Sequence, residues 1–203
     1  MLRRWFLRVA LIMLAEALAP AVSGATAADP AAMISSLGSR ALEVLGKDAT
    51  QAQRVARFRD LLREDFDVPA IARFVLGRYW NVATEEQRAE FNKLFEEYIA
   101  IAYATRLAEY SGEQFKVTGS RPEPDGAIVS SQILRPAGAA PIKVDWHLIG
   151  KNGVYKISDV AVDGISMAVT ERSEFASVIQ HSGGRVQGLI SMLRDRTAGS
   201  AAR

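Results

Sequence analysis

Asp145, His147 and Asp159 are the residues of this chain best suited by type to acid–base chemistry. A carboxylate set in an apolar pocket is desolvated, holds its proton to higher pH and can act as a proton shuttle, the device of an isomerase or hydrolase. Such a site needs the carboxylate on the apolar side of its strand. Asp145 and His147 alternate instead with Ile142, Val144, Trp146 and Leu148, and Asp159 leaves the apolar parity over part of its own segment. His181 falls at a predicted helix end with no partner at metal-ligand spacing, so both histidines read as surface or structural residues. No Gly-x-Ser-x-Gly, His-Glu-x-x-His, phosphate loop or dinucleotide fingerprint occurs, and Gly183-Gly184 reads as a helix break. Cysteine is absent, which excludes disulfides, thiol nucleophiles and cysteine metal ligands together. The pattern therefore predicts neither an enzyme nor a metal or cofactor site.

What the chain has in abundance is apolar surface on helices. Nine aromatic residues lie between Phe66 and Tyr110, namely Phe66, Phe74, Tyr79, Trp80, Phe91, Phe95, Tyr98, Tyr103 and Tyr110. Faces this large either close a core or line a cavity for apolar cargo. A structural or adaptor protein without cargo is the alternative that the same residues permit.

The ends of the chain say where it works. Arg3, Arg4 and Arg8 precede an apolar run from Val9 to Leu18 and a small-residue tail through Ala25-Thr26-Ala27. This is the pattern of a cleavable export signal over residues 1–27, with cleavage near Ala25 to Ala28. The run is too short for a permanent bilayer anchor. The general secretory route is preferred, with the twin-arginine route as the alternative because of Arg3-Arg4-Trp5-Phe6-Leu7-Arg8. Three of the 25 basic residues and one of the 23 acidic residues lie in that segment, so 22 of each remain. Without a basic surplus no nucleic-acid partner is expected. Residues 28–203 suffice for one domain with a single core.

The elements that must position these residues follow from periodicity. Asp29-Pro30 starts a helix carrying Ile34, Leu37, Ala41 and Val44, which stops at Gly46. A second helix is predicted from about Thr50 to Phe66, and a third begins at Asp67 and Pro69 and ends near Gly77. Thr84-x-x-Gln87 is a capping box that opens a long helix reaching about Tyr110. From Glu113 the period changes to two, predicting strands at 114–118, 127–134, 142–149 and 154–162. In the last of these Tyr155 and Ile157 share one parity and Val160 and Val162 the other, so a bulge near Ser158-Asp159 or a strong bend is expected. Helices return at about 167–179 and after Gly184. The sum is an α+β domain: a curved four-stranded antiparallel sheet covered by helices, with room for a pocket between them.

Two blocks carry a family likeness. Phe66-Asp67, then Val75-Leu76-Gly77-Arg78-Tyr79-Trp80, Ala83-Thr84, Glu86-Gln87 and the Phe91, Phe95, Tyr98 spacing form the first. Val144-Asp145-Trp146-His147-Leu148, Val154-Tyr155-Lys156-Ile157-Ser158-Asp159-Val160 and Asp163-Gly164-Ile165-Ser166-Met167 form the second. Together they resemble the MlaC family, the toluene-tolerance periplasmic phospholipid-binding proteins, over residues 33–194. The resemblance implies a soluble, monomeric periplasmic carrier whose cargo is a phospholipid, bound without metal or chemistry. It implies as partners an inner-membrane ABC transporter bearing an MCE ring and an outer-membrane lipoprotein–porin complex, and a part in maintaining outer-membrane lipid asymmetry. His147 stands where relatives tend to carry Arg or another polar residue. Hopanoid-associated relatives make a polycyclic lipid the alternative cargo.

A carrier of this kind must enclose both acyl tails in a deep apolar cavity. The expected lining is Ile71, Val75, Leu76, Phe95, Tyr98, Ala102, Val144, Trp146, Leu148, Ile165 and Met167, the same residues that would serve an ordinary core. Tyr98, Tyr103 and Trp146 are expected to turn their polar atoms to the mouth, and Arg78, Arg106, Lys143 and Arg172 are the cations available to a phosphate.

Overall fold

The computed structural model describes residues 29–44, 49–107, 112–151 and 153–201. The expected export signal, the Gly46 stop and Tyr110 lie outside the described residues.

Capping fixes where most helices begin. In α1 (Pro30–Val44) the Asp29 carboxylate accepts from the Ala31 N–H at 2.9 Å. Ahead of α2 (Gln51–Asp65), Thr50 and Gln53 satisfy each other's backbone N–H groups, and Thr84 and Gln87 do the same ahead of α4 (Glu85–Leu107). Asp67 caps α3 (Val68–Leu76), which ends on Gly77 at φ +58° and passes into one 3₁₀ turn over Gly77–Trp80. Two further helices, α5 (Met167–His181) and α6 (Val186–Ala201), are separated by Gly183 and Gly184, both with positive φ.

The alternating segments form one antiparallel meander in the order β1-β2-β3-β4-β5. Its strands are β1 (Gln114–Glu123), β2 (Gly126–Leu134), β3 (Ile142–Lys151), β4 (Val154–Val162) and β5 (Ile165–Ser166). The sheet therefore has five strands where alternation predicts four, because two residues are too few to show a period. Asp163-Gly164, at φ +48° and +83°, makes the tight turn into β5. The anticipated bulge is present: His147 pairs with Asp159 and Leu148 with Ile157, which leaves Ser158 as the extra residue. A second bulge at Thr118 shifts the β1–β2 register, and β1 runs on through Pro122, tolerated because β1 is an edge strand.

Three apolar clusters hold the layers together. One joins α1 and α2 to the sheet through Ile34, Leu37, Leu61, Val129, Leu148 and Ile157. A second packs α2 on α4 through Val55, Leu62, Ala100 and Ala104, where two alanines let the helices approach closely. The largest lies among α3, α4, α5 and α6, where Phe175 meets Phe91 and Phe95 edge-on at 6.1 and 6.2 Å. The Asp67 N–H donates to the Ile157 carbonyl at 2.9 Å, so the α2–α3 corner is pinned to β4.

Candidate functional site: an apolar cavity between sheet and helices

The three clusters surround a void they do not fill. Its volume is about 610 Å³, within the range of about 300–1,000 Å³ usual for small-molecule sites. Leu37, Gly38, Ala41 and Leu42 of α1, Phe58, Leu61 and Leu62 of α2, and Val68, Ile71 and Val75 of α3 form part of the wall. The α4 contribution is Phe95, Glu96, Ile99, Tyr103 and Arg106, and the sheet contributes Phe115, Ile133, Val144, Trp146, Ser158, Asp159, Val160 and Val162. Ile165, Met167, Ala168 and Glu171 close it. Val75 and Val144 are nearly inaccessible, whereas Leu42 and Ile165 are 45 % and 62 % exposed, which places the mouth between α1 and β5.

Seven of the eleven residues expected at the cavity are there: Ile71, Val75, Phe95, Val144, Trp146, Ile165 and Met167. Leu76, Tyr98, Ala102 and Leu148 are not among its lining residues. The reason is helical phase. Successive residues turn by about 100°, so Val75 can reach the void from the core among α3, α4, α5 and α6 while Leu76 packs only within that core. On α4 the void meets Phe95, Ile99, Tyr103 and Arg106, and Tyr98 and Ala102 fall on the flank of that stripe. Tyr98 packs on Phe175 at 6.0 Å, and its hydroxyl accepts from Arg196 at 3.1 Å. Leu148 lies in the α1–α2–sheet cluster.

The polar atom of Trp146 also points away from the expected mouth. Its Nε1 donates to Ser131 Oγ at 2.9 Å within the sheet, and Ser131 Oγ donates to the Val144 carbonyl at 3.2 Å. Satisfying the indole N–H inside the sheet leaves the ring as an apolar wall, set edge-on to Phe115 at 6.1 Å. Of the four cations considered for a phosphate, Arg106 lines the cavity. Arg78 donates to Tyr79 Oη at 2.9 Å, Arg172 lies over Phe74 and Lys143 is exposed.

The acid–base candidates do not converge. Asp145 accepts from Ser130 Oγ at 2.6 Å, and neither it nor His147 reaches the cavity. The exposed His181 Nδ1 lies 2.8 Å from the Ser177 carbonyl. Asp159 does border the void, but its carboxylate is committed. Oδ1 accepts from the N–H groups of Val160 at 2.8 Å and Ala168 at 3.0 Å, and Oδ2 accepts from Ser166 Oγ. It thereby ties β4 to the start of α5. Among the described residues no group of three or more His, Cys, Asp or Glu is placed to hold a metal.

Sequence reasoning missed the α1 and α2 wall and the acid on α5. Ile34, Leu37 and Ala41 were legible as an apolar stripe, but nothing in the stripe says which sheet edge it covers. Glu171 gave no signal at all. Burial pushes its carboxyl pKa up, as does the neighbouring Glu174, while Arg106 and Arg196 oppose the rise. Burial likewise raises Tyr103, which stacks on Phe58 at 6.4 Å, and the charge of Glu171 adds to that rise.

A curved antiparallel sheet roofed by helices over an apolar chamber defines a container fold. The MlaC protein family model matches residues 36–195, and the chain belongs to that family. It is similar to the intermembrane phospholipid transport system binding protein MlaC of Haemophilus influenzae, at 28 % identity over 54 % of this chain and 53 % of that one. It is also similar to the toluene tolerance protein ttg2D of Pseudomonas putida, at 28 % identity over 58 % of this chain and 55 % of that one. The chain thus matches about half the length of these relatives. The fold is similar to that of a phospholipid-binding protein from Ralstonia solanacearum solved in complex with a phospholipid, with a TM-score of 0.72 and 22 % identity over 86 % of this chain and 99 % of that one. No helix among the described residues is long and apolar enough to cross a membrane.

Proposed function

We propose that this protein is a soluble periplasmic phospholipid carrier that encloses acyl chains in the cavity between sheet and helices. Export follows from the signal pattern over residues 1–27, and residues 28–203 act as one lipid-binding domain. The observation that carries the reading is a deep void walled by Ile71, Val75, Phe95, Phe115, Val144 and Trp146 in a member of the MlaC family.

The energetics require enclosure. Two chains of about 15 CH₂ groups each, at about 0.8 kcal/mol per group, oppose transfer into water by roughly 24 kcal/mol. A surface groove that left half of that hydrocarbon wet would offset only half of it, whereas an enclosing apolar chamber offsets most. The mouth, where Leu42, Arg106 and Ile165 are exposed, then leaves the polar end of the lipid near solvent. No catalytic step is needed: the protein binds and releases, and net direction is set by its partners. Those partners are an inner-membrane ABC transporter with an MCE ring and an outer-membrane lipoprotein–porin complex, between which a carrier would sustain outer-membrane lipid asymmetry. Both carboxylate oxygens of Asp159 hold β4 to α5, which supports binding rather than catalysis at this wall.

The test is to purify the exported protein from the periplasm, extract it with organic solvent and identify the lipid by mass spectrometry. The expected outcome is phospholipid at close to one molecule per protein. Protein that is folded and free of lipid would count against the carrier and for an adaptor.

A further inference from the structure

Hydrocarbon alone gives no use for a carboxylate in the cavity wall. Glu171 nevertheless lines the cavity from α5, one turn after Ala168, and its Oε2 is shielded from solvent and accepts no hydrogen bond among the described residues. A buried carboxylate oxygen without a donor is unfavourable, and a bound group that donates there removes the penalty. Across from it on α4, Arg106 also lines the cavity and lies over the Tyr103 ring, 5.5 Å from its centroid. Arg106 and Glu171 both act on Tyr103 electrostatically, so the three stand together in a chamber whose wall is mostly apolar but also includes Glu96, Glu113, Ser158, Asp159 and Asp163. There the chamber presents a cation and an anion beside an aromatic ring, and Arg196 and Glu174 also act on Glu171 from nearby.

Resting on the carrier reading above, we propose that this part of the wall is a head-group subsite for a zwitterionic aminophospholipid, with Arg106 meeting the phosphate and Glu171 the primary ammonium. A primary ammonium carries three N–H donors and supplies the one that Oε2 lacks. Its charge is also attracted to the Tyr103 face. A choline head group carries positive charge but no N–H, and a glycerol head group carries hydroxyls but no charge to balance Glu171 beside the phosphate. Phosphoethanolamine alone of the three satisfies both residues.

To test this, protein lacking residues 1–27 is delipidated, then reloaded from detergent micelles holding equal parts phosphatidylethanolamine, phosphatidylcholine and phosphatidylglycerol with identical acyl chains. Bound lipid is extracted and counted. Wild type should enrich phosphatidylethanolamine by about tenfold, the effect of one charge-assisted hydrogen bond. Glu171→Gln should abolish that preference, and Arg106→Gln should lower the uptake of all three lipids. Uptake in the proportions offered, or a preference that persists in Glu171→Gln, overturns the head-group subsite and leaves the carrier intact. No lipid taken up by wild type overturns the carrier itself.

Discussion

The ring of Phe115 lies against Gly38 so closely that a Cβ on the glycine would fall 2.2 Å from Cδ1. Gly38 sits inside α1, where alanine is normally favoured by about 1 kcal/mol. Here the missing side chain lets α1 settle onto β1 beside the cavity that both residues line. Gly38→Ala should drive the Phe115 ring toward the void and against Trp146, destabilising by about 1–3 kcal/mol before the helix gain is subtracted. A lower thermal midpoint, with less lipid retained, is expected. A higher midpoint would show that Phe115 moves without resistance.

Two charge insertions separate cavity from core. Ile165 is 62 % exposed at the mouth, so Ile165→Glu should leave the fold intact and reduce the lipid retained per protein. Leu76 is 2 % exposed and packed in the core among α3, α4, α5 and α6, so Leu76→Glu would bury a charge with no partner and destabilise by more than about 4 kcal/mol. Circular dichroism melts and lipid extraction on the pair check this. A folded Leu76→Glu protein depleted of lipid would mean that the cavity extends to that side of α3.

Much of the architecture was legible because single residues specify it. Thr84 with Gln87, Asp67 with Pro69, and Gly183-Gly184 fix helix ends through local hydrogen bonds or backbone freedom, and the parity switch around Ser158 gave away the bulge. The wall of the cavity was only partly legible, since periodicity marks the apolar face of a helix but not its rotation within a layered fold. Val75 and Leu76 look equivalent in sequence and both pack in the core among α3, α4, α5 and α6, yet only Val75 also meets the void. The α1 and α2 residues escaped because their partners, Phe115 and Trp146, lie far along the chain. Glu171 escaped because an acid on a polar helix gives no sign that folding will turn it inward.

Stability should record that inward turn as a pH dependence. Burial first, and Glu174 second, raise the Glu171 carboxyl pKa above its ordinary 4.5. The folded chain then holds this proton more tightly than the unfolded chain does, so stability contributed at low pH declines as pH rises above about 4.5 and is gone above the folded-state pKa. In lipid-free protein, Glu171→Gln should be more stable than wild type at neutral pH, by under about 1 kcal/mol because solvent screens a partly exposed group. The two should converge well below pH 4.5, where both side chains are neutral. Denaturant midpoints across that range decide it, and a variant less stable than wild type at neutral pH would contradict the account.

The most direct measurement uses the protein's own fluorescence. Trp146 lines the cavity and Trp80 does not, so a protein lacking residues 1–27 with Trp80→Phe reports on the chamber alone. Loading it with phospholipid whose acyl chains carry bromine should quench Trp146 strongly and saturate at close to one lipid per protein. Emission that stays unchanged while brominated lipid is demonstrably bound would place the tails outside the chamber and contradict the account.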